Sequence, residues 1–224
     1  MAEIAASRKT IQSRLQALSP LRERNFALLM AGRLTSNMGR SMRVFARAWL
    51  VMELTGSPFL LGVVTGSLAL PEMFMPLYAG VLADRVDRRK LLLYTEFLLV
   101  VLWVAMSADI TLGYVEWWHL SLSAIASGVI QSFGRTGHQA ILGNVVAKKE
   151  DLHKAVALDS VAQHWPNVGG LLLATVAIGT IGVGGLFWLT ALGQLFTGVT
   201  LLLMHWKYEK PAEARKERNF GKDF

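Results

Sequence analysis

The chain has 224 residues, 53% of them hydrophobic and 17% charged, with a formal net charge of +7 and no cysteine. A soluble domain carries about a quarter charged residues, so this composition argues for lipid rather than a water-facing surface, and the absence of cysteine excludes disulfides and thiolate metal sites. A basic balance signals nucleic acid only when the basic residues gather on one folded face, and here they are confined to particular connections between apolar runs.

Residues 1–23 are basic and broken by Pro20, with no small-residue cleavage site. They read as a cytoplasmic arm rather than a cleaved signal peptide. Six apolar stretches follow, at 24–53, 58–83, 91–110, 117–146, 155–179 and 183–206. A helix needs about 20 mostly apolar residues to cross a roughly 30 Å hydrocarbon core, and each stretch meets that need. The third, "LLLYTEFLLVVLWVAMSADI", and the sixth, "GVGGLFWLTALGQLFTGVTLLLMHW", are the cleanest. The first carries Arg33, Arg40, Arg43 and Arg47. The expected fold is all-α: a polytopic membrane bundle of six transmembrane helices over 24–206, followed by a basic cytoplasmic tail at 207–224.

Apart from those four arginines, Arg135 and Arg24 at the junction of the arm with the first stretch, every lysine and arginine lies in the N-terminal arm, the second connection, the fourth connection or the tail. The first, third and fifth connections have none. Short basic loops face the cytoplasm, so both termini are expected inside. Trp117, Trp118 and Trp206 fall where indole rings settle at membrane interfaces.

Intramembrane charges are costly, about 2.5–3.5 kcal/mol for a single arginine at mid-bilayer on insertion scales. At about 100° per residue, Arg33, Arg40, Arg43 and Arg47 fall within about 80° of one another on a single face of the first helix. Arg33 and Arg47 lie about 21 Å apart along its axis. Such a stripe must face water, carboxylates or an anionic ligand. Glu72 on the second stretch, Glu96 on the third and Asp159 on the fifth are the available acids. Glu72 lies between Pro71 and Pro76, where freed backbone groups favour a polar cavity. Arg33, Arg40, Arg43, Arg47, Glu72, Arg135, His138 and Asp159 are therefore candidates for a substrate cavity, with one carboxylate changing protonation during a cycle. The competing reading is that they are internal salt bridges between helices. Gly62 and Gly66, and Ala124, Gly128 and Ser132, stand at four-residue spacing and predict close helix contacts. No metal-ligand spacing, Walker loop or hydrolase elbow is present in the sequence, so neither metal, cofactor nor enzymatic activity is expected.

Six charges crowd into "GVLADRVDRRK", Gly80 to Lys90, between the second and third stretches. This segment resembles the cytoplasmic signature of the major facilitator superfamily, roughly G-x-L-A-D-R-x-G-R-R/K. Asp87 in place of the second glycine is similar to the branch of enterobactin-type exporters. "GRLTSNMG" (Gly32–Gly39), "AWLVMELTGSPFLLG" (Ala48–Gly62) and "NVVAKKEDLHKAVALDSVA" (Asn144–Ala162) resemble further parts of that branch. The chain departs from it in helix four, where Thr136 and His138 replace the Pro and Arg of a Pro-x-Arg-Gln element with Arg135 close by. It departs again in helix five, where Gly170-Leu171 replaces a Gly-Pro pair and Pro166 lies one turn earlier.

The resemblance implies that this is one six-helix half of a transporter whose two halves rock about a midplane site. Gly80, Asp84, Arg85, Asp87, Arg88 and Arg89 would then form a cytoplasmic gating motif that latches onto the other half. It further implies secondary transport, namely efflux of a small organic molecule in exchange for protons across the bacterial cytoplasmic (inner) membrane. The expected partners are substrate, protons, the lipid bilayer and a C-terminal six-helix half supplied by another chain, by further sequence or by a second copy. The alternatives are a split half-transporter inactive alone, or a membrane scaffold.

Overall fold

The computed structural model describes residues 24–145 and 152–204, and all regular structure there is helical. Helix α1 spans Arg24–Thr55, α2 Pro58–Arg85, α3 Arg88–Thr111, α4 Trp117–Val145 and α5 Leu152–Leu203. The N-terminal arm at 1–23 and the tail at 207–224 lie outside the described residues.

Local chemistry explains where the helices begin and end. Ser57 caps α2 by accepting a hydrogen bond from the Leu60 N–H, and Pro58 takes the first helical position, where its missing N–H costs nothing. The apolar run of α3 stops at Gly113, whose φ of 77° and bond to the Ile110 carbonyl close the helix end. Glycine adopts that left-handed turn without a Cβ penalty.

The fifth and sixth expected stretches form one continuous helical assignment, interrupted at Gly182 by φ 73° and ψ 174°. Packing shows that the chain reverses there. Along α1, Arg33 meets Asp159, Asn37 meets the Ala162 carbonyl, and Met38 and Ser41 crowd Gly170. In the opposite sense, the Gly32 carbonyl meets Thr197 and Arg43 meets Thr190. The arm before Gly182 therefore runs parallel to α1 and the arm after it antiparallel. Both lie against α1, so α5 is a hairpin of two helices.

Elsewhere α2 packs on α4, and α3 lies against both α4 and α5. Two apolar clusters fill the interior. One is built around Trp103, Phe187, Leu50 and Leu120, and the other around Phe26, Leu29, Leu92 and Leu201. The outer surface is also apolar, with Phe59, Met73, Leu77 and Trp165 more than 70% exposed. Water would not tolerate so much contiguous hydrocarbon, and a bilayer covers it. Three stretches, Pro58–Gly80, Arg89–Thr111 and Leu158–Leu203, are long and apolar enough to cross a membrane. The last has 46 residues, and its reversal at Gly182 divides it into two lengths.

The expected helix contacts divide. A Cβ on Gly128 would stand 3.1 Å from the Leu68 carbonyl oxygen, so α4 approaches the α2 backbone closely. Ala124 and Ser132 are buried on the same seam. For Gly62 and Gly66 the sequence expectation is corrected. Nothing among the described residues comes within 4 Å of a Cβ placed there, because α2 turns that side away from the bundle.

Candidate functional site: a divided arginine stripe

Three helices meet at Glu72. Its Oε1 accepts a hydrogen bond from Arg40 of α1 at 2.5 Å and from Arg135 of α4 at 3.1 Å. The three side chains are partly open, with exposures of 30% for Arg40, 24% for Glu72 and 49% for Arg135. Two guanidiniums on one carboxylate leave a net positive node on the side of the bundle. Pro71 presses on Gly128 one residue before Glu72, which fixes the height at which the carboxylate leaves α2.

Lower on α1, Arg33 pairs with Asp159 through Nε at 2.9 Å, and Gln163 donates to the second oxygen of Asp159. This pair is nearly closed, with exposures of 12% and 8%. It ties α1 to the first arm of α5 beside Asn37, which donates to the Ala162 carbonyl.

Arg43 and Arg47 have different surroundings. They are only 3% and 5% exposed and flank the Trp103 ring of α3, at 4.3 Å and 5.9 Å from its centroid. Arg43 reaches the Thr190 carbonyl at 3.5 Å and Gln194 Oε1 at 3.4 Å. Gln194 in turn donates to Glu96. The stripe that the helical wheel places on one face is thus split by its neighbours: Arg33 and Arg40 meet carboxylates, whereas Arg43 and Arg47 lie under an indole. Cation–π contact supplies about 0.5–2 kcal/mol, while a buried charge gives up several kcal/mol of hydration.

The charged turn between α2 and α3 is short. Val86 is extended, and Asp87 caps α3 by accepting from the Arg89 N–H at 2.9 Å. Asp87 therefore has a local structural role within its motif. A Cβ on Gly80 would meet nothing within 4 Å among the described residues. The side chains of Asp84, Arg85, Arg88 and His138 lie outside the described set.

A family model described as a transmembrane secretion effector, of the major facilitator type, matches residues 15–224. The chain belongs to that family. A search of curated proteins gave no significant match. Membership makes this chain a transport-type integral membrane protein.

Several polar residues escaped sequence reasoning: Gln194, Thr190 and Gln131 inside the bundle, and the exposed Asn167, which accepts from Ser41. A neutral amide within an apolar run carries no charge to mark it. The only available signal was the rarity of amides in the sixth stretch, where Gln194 is the single one.

Proposed function

We infer that this chain is a six-helix unit of a secondary carrier that expels a small organic molecule across the bacterial cytoplasmic membrane in exchange for protons. The observation that carries the reading is the Arg40–Glu72–Arg135 node. It is a charged triad, partly exposed on one side of a bundle whose surface is otherwise rich in exposed hydrocarbon side chains. Charges within a membrane bundle face an aqueous cavity or a partner rather than lipid. The triad therefore belongs on the wall of a substrate pathway, with Arg33 and Asp159 one level below it.

A second six-helix unit completes the pathway, from another chain, from further sequence or from a second copy. The support for it is α2. Only 11% of its apolar window is buried within the bundle, and a Cβ on Gly62, Gly66 or Gly80 would meet nothing within 4 Å among the described residues. Close-packing glycines on an uncovered face suit another helix. The charged turn 80–90 at the same helix's end then latches to that unit on the cytoplasmic side. The basic connections set both termini inside.

In this reading Glu72 or Asp159 takes and releases the coupled proton. The test is pH-driven transport in proteoliposomes, with the chain combined with its second unit, comparing Glu72→Gln and Asp159→Asn with the parent. Loss of the pH dependence in one of them is expected. Transport that keeps its full pH dependence in both rules out these carboxylates as the coupling groups.

A further inference from the structure

We propose that Arg43 and Arg47, with Arg40 beside them, form a binding site for one small monovalent anion deep in the bundle. The slot lies between α1, α2, α3 and α4, with Leu68 of α2 as its apolar wall and Arg40, Arg43, Arg47, Trp103, Ser127 and Gln131 around it. It has room for about one water-sized group.

Three observations converge on an anion. The first is the charge balance. Arg40, Arg43, Arg47 and Arg135 stand around two carboxylates, Glu72 and Glu96, and Glu72 is already shared by Arg40 and Arg135. Among the described residues no carboxylate forms a direct salt bridge with Arg43 or Arg47, and Glu96 acts on Arg43 at longer range, with Gln194 between them. The second is an unanswered donor: the Nε of Arg47 is buried without a hydrogen-bond partner among the described residues, although the residue is 5% exposed. The third is the quality of the contacts Arg43 does make. Both go to neutral oxygens, at 3.4 Å and 3.5 Å, beyond the usual N–H···O range.

The Trp103 face returns only part of the hydration that two guanidiniums lose on burial. A neutral water in the slot would satisfy a donor and leave the charge excess intact. An anion does both. The slot's dimensions select the occupant's chemistry: a halide ion, or the tip of a carboxylate carried by a larger molecule. Ser127 spends its hydroxyl hydrogen on the Ala124 carbonyl. The Gln131 amide and the Trp103 indole N–H, which is buried without a partner among the described residues, are thus the neutral donors available to complete the shell.

The site does not depend on the chain being a transporter. Only the version in which the carboxylate belongs to transported cargo rests on that reading, and the experiment separates the two. Full-length protein is purified in detergent with a bulky sulfonate as the sole counter-ion. Bromide and acetate are then titrated separately at constant ionic strength, following the unfolding midpoint and tryptophan fluorescence. A saturable rise of a few degrees with bromide alone identifies a halide site. The same rise with acetate identifies a carboxylate-tip site. No saturable response to either anion overturns the proposal.

Arg47→Gln removes the response. Because that variant also removes the Arg47 contact with Trp103, Gln131→Leu serves as the second: it removes no charge, and it weakens the apparent affinity at least tenfold. Parent-like titrations in both variants overturn the placement of the site. Failure of transport in liposomes bears on the carrier reading and leaves the binding result standing.

Discussion

Gly170 and Gly62 show how strongly the effect of one methyl group depends on where it is added. A Cβ on Gly170 would lie 2.8 Å from the Met38 carbonyl oxygen and 2.9 Å from the Ser41 side chain, so α1 and the first arm of α5 must part to admit it. Gly170→Ala is expected to lower stability by about 1–3 kcal/mol, seen as a lower unfolding midpoint in detergent. Gly62→Ala meets open space and gains helix propensity of about 1 kcal/mol, so its midpoint holds or rises. The Arg33–Asp159 pair makes a second prediction at this scale. Asp159→Asn leaves a nearly closed guanidinium facing a neutral partner, which costs about 3–5 kcal/mol. Replacing both members, Arg33→Met with Asp159→Leu, recovers most of that loss in the same assay. The sequence offered the acids Glu72 and Asp159 as partners for the stripe because charge is visible in a string of letters. It did not show that Trp103 and Gln194 surround Arg43, since a tryptophan in an apolar run reads as hydrocarbon.

At the scale of the element, the helices were legible nearly to their ends. Runs of apolar residues set their length, and Ser57-Pro58, Asp87 and Gly113 mark their boundaries. Which side each helix turns inward was not legible. Gly62 and Gly66 of α2 share a four-residue spacing with Ala124, Gly128 and Ser132 of α4, yet Gly128 meets Leu68 and Pro71 while nothing among the described residues comes within 4 Å of a Cβ on Gly62 or Gly66. A helix apolar on all sides leaves no pattern to distinguish a lipid face from a protein face. Two caps can be tested. Asp87→Ala removes the acceptor for the Arg89 N–H and should cost about 0.5–2 kcal/mol, measured as a lower unfolding midpoint and faster hydrogen exchange in the first turn of α3. Gly182→Ala places a Cβ on a backbone at φ 73° and ψ 174°, a region essentially reserved for glycine. Nothing crowds the site, so the expected loss of about 1–3 kcal/mol is backbone strain alone and appears as a lowered midpoint.

For the molecule as a whole, the chain's lack of cysteine permits a direct test of orientation. Single cysteines placed at Val86, in the α2–α3 turn, and at Gly113, after α3, lie at opposite ends of the same helix. An impermeant thiol reagent added to intact cells should label the Gly113→Cys protein and spare Val86→Cys. Inverted vesicles should give the reverse. Labelling of Val86→Cys from outside would overturn the inward placement of the basic turns, and with it the assignment of the charged turn as a cytoplasmic latch.

The hairpin at Gly182 sets a schedule for biosynthesis. Helix α1 emerges from the ribosome first, and Arg40 meets its carboxylate only 32 residues later. Arg43 waits 151 residues for Gln194, on the returning arm of the hairpin. A bare guanidinium in hydrocarbon costs about 2.5–3.5 kcal/mol on insertion scales, so synthesis of the returning arm favours release of α1 into lipid together with its partners. Membrane entry and tertiary assembly are thereby coupled.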